Sequence, residues 1–118
     1  MKRVLVTIHT PTFGGPHNQV LRMYEPLRAL GWDTVVVLPE EPANGYERLT
    51  QAGIVCHRMP LHRLRATINP REHLALVRSF HQEVAQIRAL IRQEQIDLVQ
   101  VCGLLSLHGA LAARAEQV

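Results

Sequence analysis

Apolar residues in this chain fall into four short runs, separated by longer stretches in which they recur at every third or fourth position. Residues 4–8 (VLVTI), 33–38 (DTVVVL), 54–59 (IVCHRM) and 96–101 (IDLVQV) are brief and rich in β-branched side chains, with glycine or proline close after each. Such runs are strands covered on both faces in a parallel sheet. The third run, interrupted by His57 and Arg58, is more polar and belongs near a sheet edge.

Between the runs the period changes to that of a helix. Val20, Leu21, Tyr24, Leu27 and Leu30 share one side of a first helix, which Gly31 caps. Pro26 removes a backbone hydrogen bond to Arg22, but the apolar face continues to Leu30, so a kink is expected and not a break. Residues 40–45 (EEPANG) form a turn-rich loop, and residues 46–52 a short helix stopped by Gly53. A long helix starts at Pro70 and buries Leu74, Val77, Phe80 or His81, Val84, Ile87 and Ile91, leaving Arg78, Gln82, Arg88 and Arg92 to solvent. A last helix starts near Ser106, a suitable N-cap. The order β-α-β-α-β-α-β-α with short connections predicts right-handed crossovers and an α/β, Rossmann-like parallel sheet of strand order 3-2-1-4, with helices on both faces.

Composition narrows the classes. A chain of 118 residues is one domain, yet short for a complete doubly wound enzyme. With 47% hydrophobic and 19% charged residues it is an ordinary globular sequence. A net charge of +3 is too small to indicate nucleic acid, and no aromatics interleave with the basic residues to stack on bases. Met1-Lys2-Arg3 looks like the start of a signal peptide, but the apolar run breaks at His9 and Pro11. No stretch approaches the roughly 20 apolar residues of a membrane span, so cytoplasmic residence is expected. Cys56 and Cys102 lack C-x-x-C spacing, and the expected strand order places them about 14 Å apart, too far for a disulfide. The seven histidines contain no H-x-x-x-H pair, and no metal site is expected.

Candidate chemistry sits where the first strand meets the first helix. Gly14-Gly15 allows a sharp turn and leaves no side chain between main-chain N–H groups and a ligand, while Pro16 suits the first helical turn. Free N–H groups and the positive end of the helix dipole make a seat for phosphate or carboxylate, to which a partial positive charge on His17 would contribute, and a capping or surface role for His17 fits equally well. The same doublet also serves simply to permit a tight turn and close helix packing, since it is neither G-x-G-x-x-G nor G-x-x-x-x-G-K-[ST]. In parallel sheets ligands bind at the carboxyl ends of strands beside the switch in strand order. That crevice brings residues 10–18 next to Cys102 and Gly103.

The segments HTPTFGGPHNQV (residues 9–20), EPLRALGWDTVVVLP (25–39) and IDLVQVCGLLSLHGALAARA (96–115) together resemble the N-terminal, acceptor-side domain of family-four, GT-B type retaining glycosyltransferases. The resemblance covers essentially the whole chain. It implies that residues 1–118 are a truncated N-terminal Rossmann-like domain whose donor-binding C-terminal domain is absent. The implied reaction moves a sugar from a nucleotide-sugar to a sugar or lipid acceptor, with no metal or other cofactor. On this resemblance Gly14 and Gly15 offer main-chain amides to the donor phosphate or acceptor, while Thr12, His17 and Asn18 border the acceptor; no catalytic residue is assigned. Because acceptors of such enzymes are often membrane-embedded, the basic residues 58–71 read either as a solvated crossover or as a peripheral contact with the inner face of a membrane. The sequence departs from the family at Cys102, where many relatives carry histidine, and it has no two glutamates in the E-x7-E spacing of the donor domain. Alone, the chain is expected to be inactive. A different class also fits: a non-catalytic, flavodoxin-like module that binds a phosphate ligand or a protein partner, although only 4% of its residues are aromatic.

Overall fold

A computed structural model describes residues 1–10, 12–41, 43–59, 70–102 and 108–118, and its architecture turns on β1 (Lys2–Ile8). This strand pairs in parallel with β2 (Trp32–Pro39) on one side and β4 (Leu98–Cys102) on the other, while β3 (Val55–Met59) lies outside β2. The order β3-β2-β1-β4 is the one expected. The helices are α1 (Gly15–Ala29), α2 (Gly45–Gln51), α3 (Pro70–Gln93) and α4 (His108–Ala115).

The continuous apolar runs arise because alternate residues of a strand enter different cores. Val4, Val6 and Ile8 pack with Val36 and Leu38 beneath Val20 and Tyr24 of α1 and Leu49 of α2. Leu5, Val35 and Val37 point the other way, against Ile87, Leu90 and Ile91 of α3 and Ala112 of α4. Cys56 and Cys102 therefore stand on the two outermost strands, both as free thiols.

Helix ends follow local chemistry. Gly31 and Gly53 adopt φ of +90° and +87°, the left-handed conformation in which a glycine ends a helix without a Cβ clash. Pro26 does not interrupt α1. Leu30, however, is 76% exposed, against expectation: the helix ends at Ala29, and Leu30 is its C-cap, turned away from the core stripe.

Two other expectations change along α3. Leu74 is 50% exposed, and of Phe80 and His81 it is Phe80 that turns inward, with its ring 4.6 Å from that of His108. Side-chain positions of Val77 and Arg78 and the start of α4 near Ser106 lie outside the described residues. Glu83 is buried, because α4 lies over that side of α3, and its Oε2 is 3.4 Å from Nε2 of His108. The arginines assigned to solvent are partly engaged as well: Arg88 and Arg92 reach Glu116 at 3.1 and 2.6 Å. Among the described residues no helix is long and apolar enough to cross a membrane.

The carboxyl half of β1 and the start of α4 approach each other closely at Gly109. A Cβ there would lie 2.8 Å from Thr7 Cγ2 and 2.9 Å from Thr7 Oγ1, too close for the packed interior to absorb without movement. Gly109→Ala is expected to cost about 1–3 kcal/mol in urea unfolding. Adding Thr7→Ala, which removes both offending atoms, should recover most of that loss.

Candidate functional site

Because β1, β2 and β4 are adjacent and parallel, the segments that follow them meet at one edge of the sheet. The segment between β1 and α1 is held from two sides. Phe13 N–H donates to Asn44 Oδ1 at 2.9 Å, and the Arg48 guanidinium lies 3.8 Å from the Phe13 ring centroid, so the loop is fastened to the start of α2. On the other side, His9 Nδ1 donates to the Cys102 carbonyl at 2.7 Å, tying the end of β1 to the end of β4. Ile8 and Cys102 are register partners in the ladder, so this bond extends the pairing by one residue.

The glycine doublet begins α1 differently from the way its composition suggests. Gly14 is the N-cap, with φ −155°, and Gly15 is the first helical residue. Neither has a positive φ, so the freedom peculiar to glycine is not what the turn uses. What the doublet supplies is empty space: a Cβ on Gly15 would meet nothing within 4 Å, and one on Gly14 only the Thr12 carbonyl at 3.9 Å.

The expected main-chain donors are only partly available. The Gly14 N–H donates to Nδ1 of His17 at 3.1 Å, a correction to its expected role as a free amide. This is one half of a capping box, with a histidine at the N3 position where glutamate or glutamine is usual. Asn18 N–H donates to the Gly14 carbonyl at 2.9 Å as an ordinary helical bond. Pro16 has no donor. Among the described residues the main-chain N–H of the exposed Gly15 has no partner, as expected in the first turn of a helix.

His17 is fully buried, and the positive charge expected of it is corrected too. Burial pushes its pKa below the ordinary 6.5; the Thr10 carbonyl opposes this and nearby His9 adds to it. Since Nδ1 accepts from Gly14, the proton of the neutral ring is on Nε2. That nitrogen is enclosed with no hydrogen-bond partner, the Thr10 carbonyl falling short of bonding geometry.

The remaining candidates divide. Thr12 is exposed on the loop and Asn18 is half-buried in α1. Cys102 is half-buried and lines a groove of about 340 Å³ with Val6 and Gln100 from the sheet and Gln19, Val20 and Met23 from α1. Cys102 thus stands beside His9 and Gln19, none of the described residues among 10–18 lines its groove, and Gly103 lies outside the described residues. His9, Phe13, Asn44 and Arg48, which hold the loop, were not singled out. The asparagine-glycine pair opening α2 was the available signal for Asn44. Of the basic stretch, Arg58 stacks 4.3 Å above the Tyr46 ring, and residues 60–69 lie outside the described set. An acceptor-rich anion placed beyond Gly15 would find the free N–H of that exposed residue and the positive end of a helix of 15 residues.

A family model described as Glycosyl transferase 4-like domain matches residues 14–118. No curated protein matches the sequence. Among solved structures, the chain is similar to MurG of Acinetobacter baumannii, with 18% identity, a TM-score of 0.69, and coverage of 100% of this chain and 33% of that one. It is similar to a glycosyltransferase of Rickettsia africae ESF-5, at 14% identity and a TM-score of 0.67 over 98% of this chain and 27% of that one. It is also similar to the Streptomyces sp. SF2575 glycosyltransferase SsfS6 complexed with thymidine diphosphate, at 24% identity and a TM-score of 0.56 over 100% of this chain and 37% of that one. At such identities the likeness is one of fold, and the chain spans about a third of the length of these structures.

Burial raises both thiols out of the reactive range, Cys56 to about 11 and Cys102 in the same direction. Cys102 therefore lines the groove as an uncharged group. At pH 8, iodoacetamide should alkylate Cys56 about a hundredfold more slowly in the folded chain than in the urea-unfolded chain, because only the thiolate reacts. Peptide mass spectrometry over a time course measures both sites.

Proposed function

The chain belongs to the Glycosyl transferase 4-like domain family, and from that membership we propose that it is the N-terminal, acceptor-side part of a retaining GT-B transferase acting on a nucleotide-sugar. Supporting this is its coverage of about a third of each similar solved structure, two of them complexes with a thymidine or deoxythymidine diphosphate. The observation that carries the reading is the unpartnered N–H of the exposed Gly15, at the carboxyl edge of the sheet on a residue beside whose Cβ position nothing lies within 4 Å.

In the proposed reaction the bond between the anomeric carbon and the donor phosphate breaks, and an acceptor hydroxyl oxygen bonds to that carbon. The departing diphosphate gains negative charge. Fixed N–H groups at a helix start, with a dipole equivalent to about half a positive charge, stabilise that charge without reorganising. His17 takes part as a neutral ring within the loop, not as a cation. Thr12 and Asn18 border the acceptor, the uncharged Cys102 thiol walls the crevice from β4, and the donor nucleotide is held mainly by a second domain. The nucleotide-sugar enters as substrate, and the proposal needs no further cofactor.

Substitutions at Gly15 separate donor from space. Gly15→Pro keeps a residue suited to the first helical turn and deletes the N–H, whereas Gly15→Ala keeps the N–H. In the full-length transferase carrying this chain, Gly15→Pro should lower kcat/KM for sugar transfer at least tenfold, with unfolding midpoints close to the parent, and Gly15→Ala should cost clearly less. Parental activity in both variants would remove the loop from the reaction.

A further inference from the structure

Histidine at the third position of α1 does what glutamine or glutamate does in a common capping box, with one difference: protonation of the ring removes the acceptor itself. We infer that His17 is a proton-linked clasp on the β1–α1 loop, closed while Nδ1 accepts the Gly14 N–H and opened when protonation of Nδ1 frees that N–H for an anion held at the start of α1. The inference rests on the anion seat proposed above and adds its regulation.

The clasp has two positions because the hydrogen bond has one direction. At 3.1 Å the Gly14 N–H needs a lone pair on Nδ1. In the imidazolium both nitrogens carry hydrogens, two N–H groups then oppose each other, and the bond cannot persist. Once released, the Gly14 N–H faces solvent on an exposed residue without a side chain, while the Gly14 carbonyl keeps its bond from the Asn18 N–H. A second exposed main-chain donor would then join that of Gly15.

The surroundings set which position is occupied without a ligand. The titratable and charged groups facing the ring are His9 from the end of β1, Cys102 from β4 through its carbonyl bond to His9, and Arg48 from α2 through Phe13, whose ring centroid is 5.6 Å from that of His17. Among the described residues none of these is a carboxylate, so an imidazolium finds no counter-charge. Burial lowers the pKa for the same reason, and the clasp is closed at neutral pH. The folded pKa lies below the unfolded one, so the unfolded chain takes up the proton first. Stability from the neutral ring is accordingly complete above about 6.5 and declines as pH falls through the folded pKa.

A bound anion supplies the missing counter-charge. It raises the pKa of His17, and by reciprocity protonation of His17 strengthens anion binding by the same factor. Inorganic sulfate is a suitable probe because it stays a dianion across the range in which histidine titrates, so any proton taken up belongs to the protein.

The test is an NMR titration of the chain between pH 5.5 and 7.5 with and without sulfate, following the His17 ring and the amides of Gly14, Gly15 and His17. The expected result is a His17 pKa raised by about half a unit, with sulfate bound about threefold more tightly at the acid end. His17→Gln, which keeps an acceptor for Gly14 but does not titrate, should bind sulfate without that pH dependence; if this variant fails to fold, the parental ring titration decides alone. Amides that shift with sulfate while the His17 pKa stays fixed would overturn the clasp and leave the anion seat standing. Full pH dependence retained in His17→Gln would overturn the clasp in the same way, since another histidine would then be responsible. Absence of any shift at Gly15 and His17 would overturn the seat and the clasp with it.

Discussion

The constraint on which this structure depends is the burial of β1 on both faces and both edges. Paired with β2 and β4, covered by α1 on one side and by α3 and α4 on the other, this strand offers no exposed position between Val4 and Ile8. The first polar ring beyond them, His9, immediately bonds to the neighbouring strand. The chain departs in opposite directions from β1 toward β2 and from β3 toward β4, and α1 and α4 pack on opposite faces of the sheet, so the carboxyl ends of β1 and β4 mark the switch in strand order. The candidate site is a product of that topology.

Within the crevice, electrostatics are set more by what is enclosed than by net charge. His17 and the Cys102 thiol are both shifted toward their neutral forms by burial. The remaining positive potential near the turn comes from main-chain N–H groups and the Arg48 guanidinium above Phe13, neither of which loses its charge near neutral pH. Holding those groups is mechanical: Asn44 and Arg48 pin Phe13, and His17 pins Gly14. A loop held at both ends needs little reorganisation when charge develops opposite it.

The two faces of β4 differ. Toward α3 and α4 the strand adjoins the core, with Val99 packed against it. On the α1 face Leu98 is 50% exposed, and the groove running from Leu98 to Cys102 is walled by Met23 and Leu27 of α1. Parallel sheets are ordinarily covered on both faces. Among the described residues this strip of β4 is left bare, and the chain spans about a third of the length of the similar structures.

The sequence by itself determined the order of elements, the parallel sheet, the strand order and the neighbourhood of the site, because period and punctuation are local and four buried strands with short crossovers admit few topologies. It identified Gly31 and Gly53 as helix stops for the same local reason. The tertiary structure alone decided that Leu30 faces water, that Glu83 is buried beside His108, and that His17 is neutral with its Nδ1 on Gly14. Each depends on where a helix ends or on which distant segment covers it. A residue's period records which side of its own element is apolar, whereas its burial and its proton are set by contacts that exist only once the chain has folded.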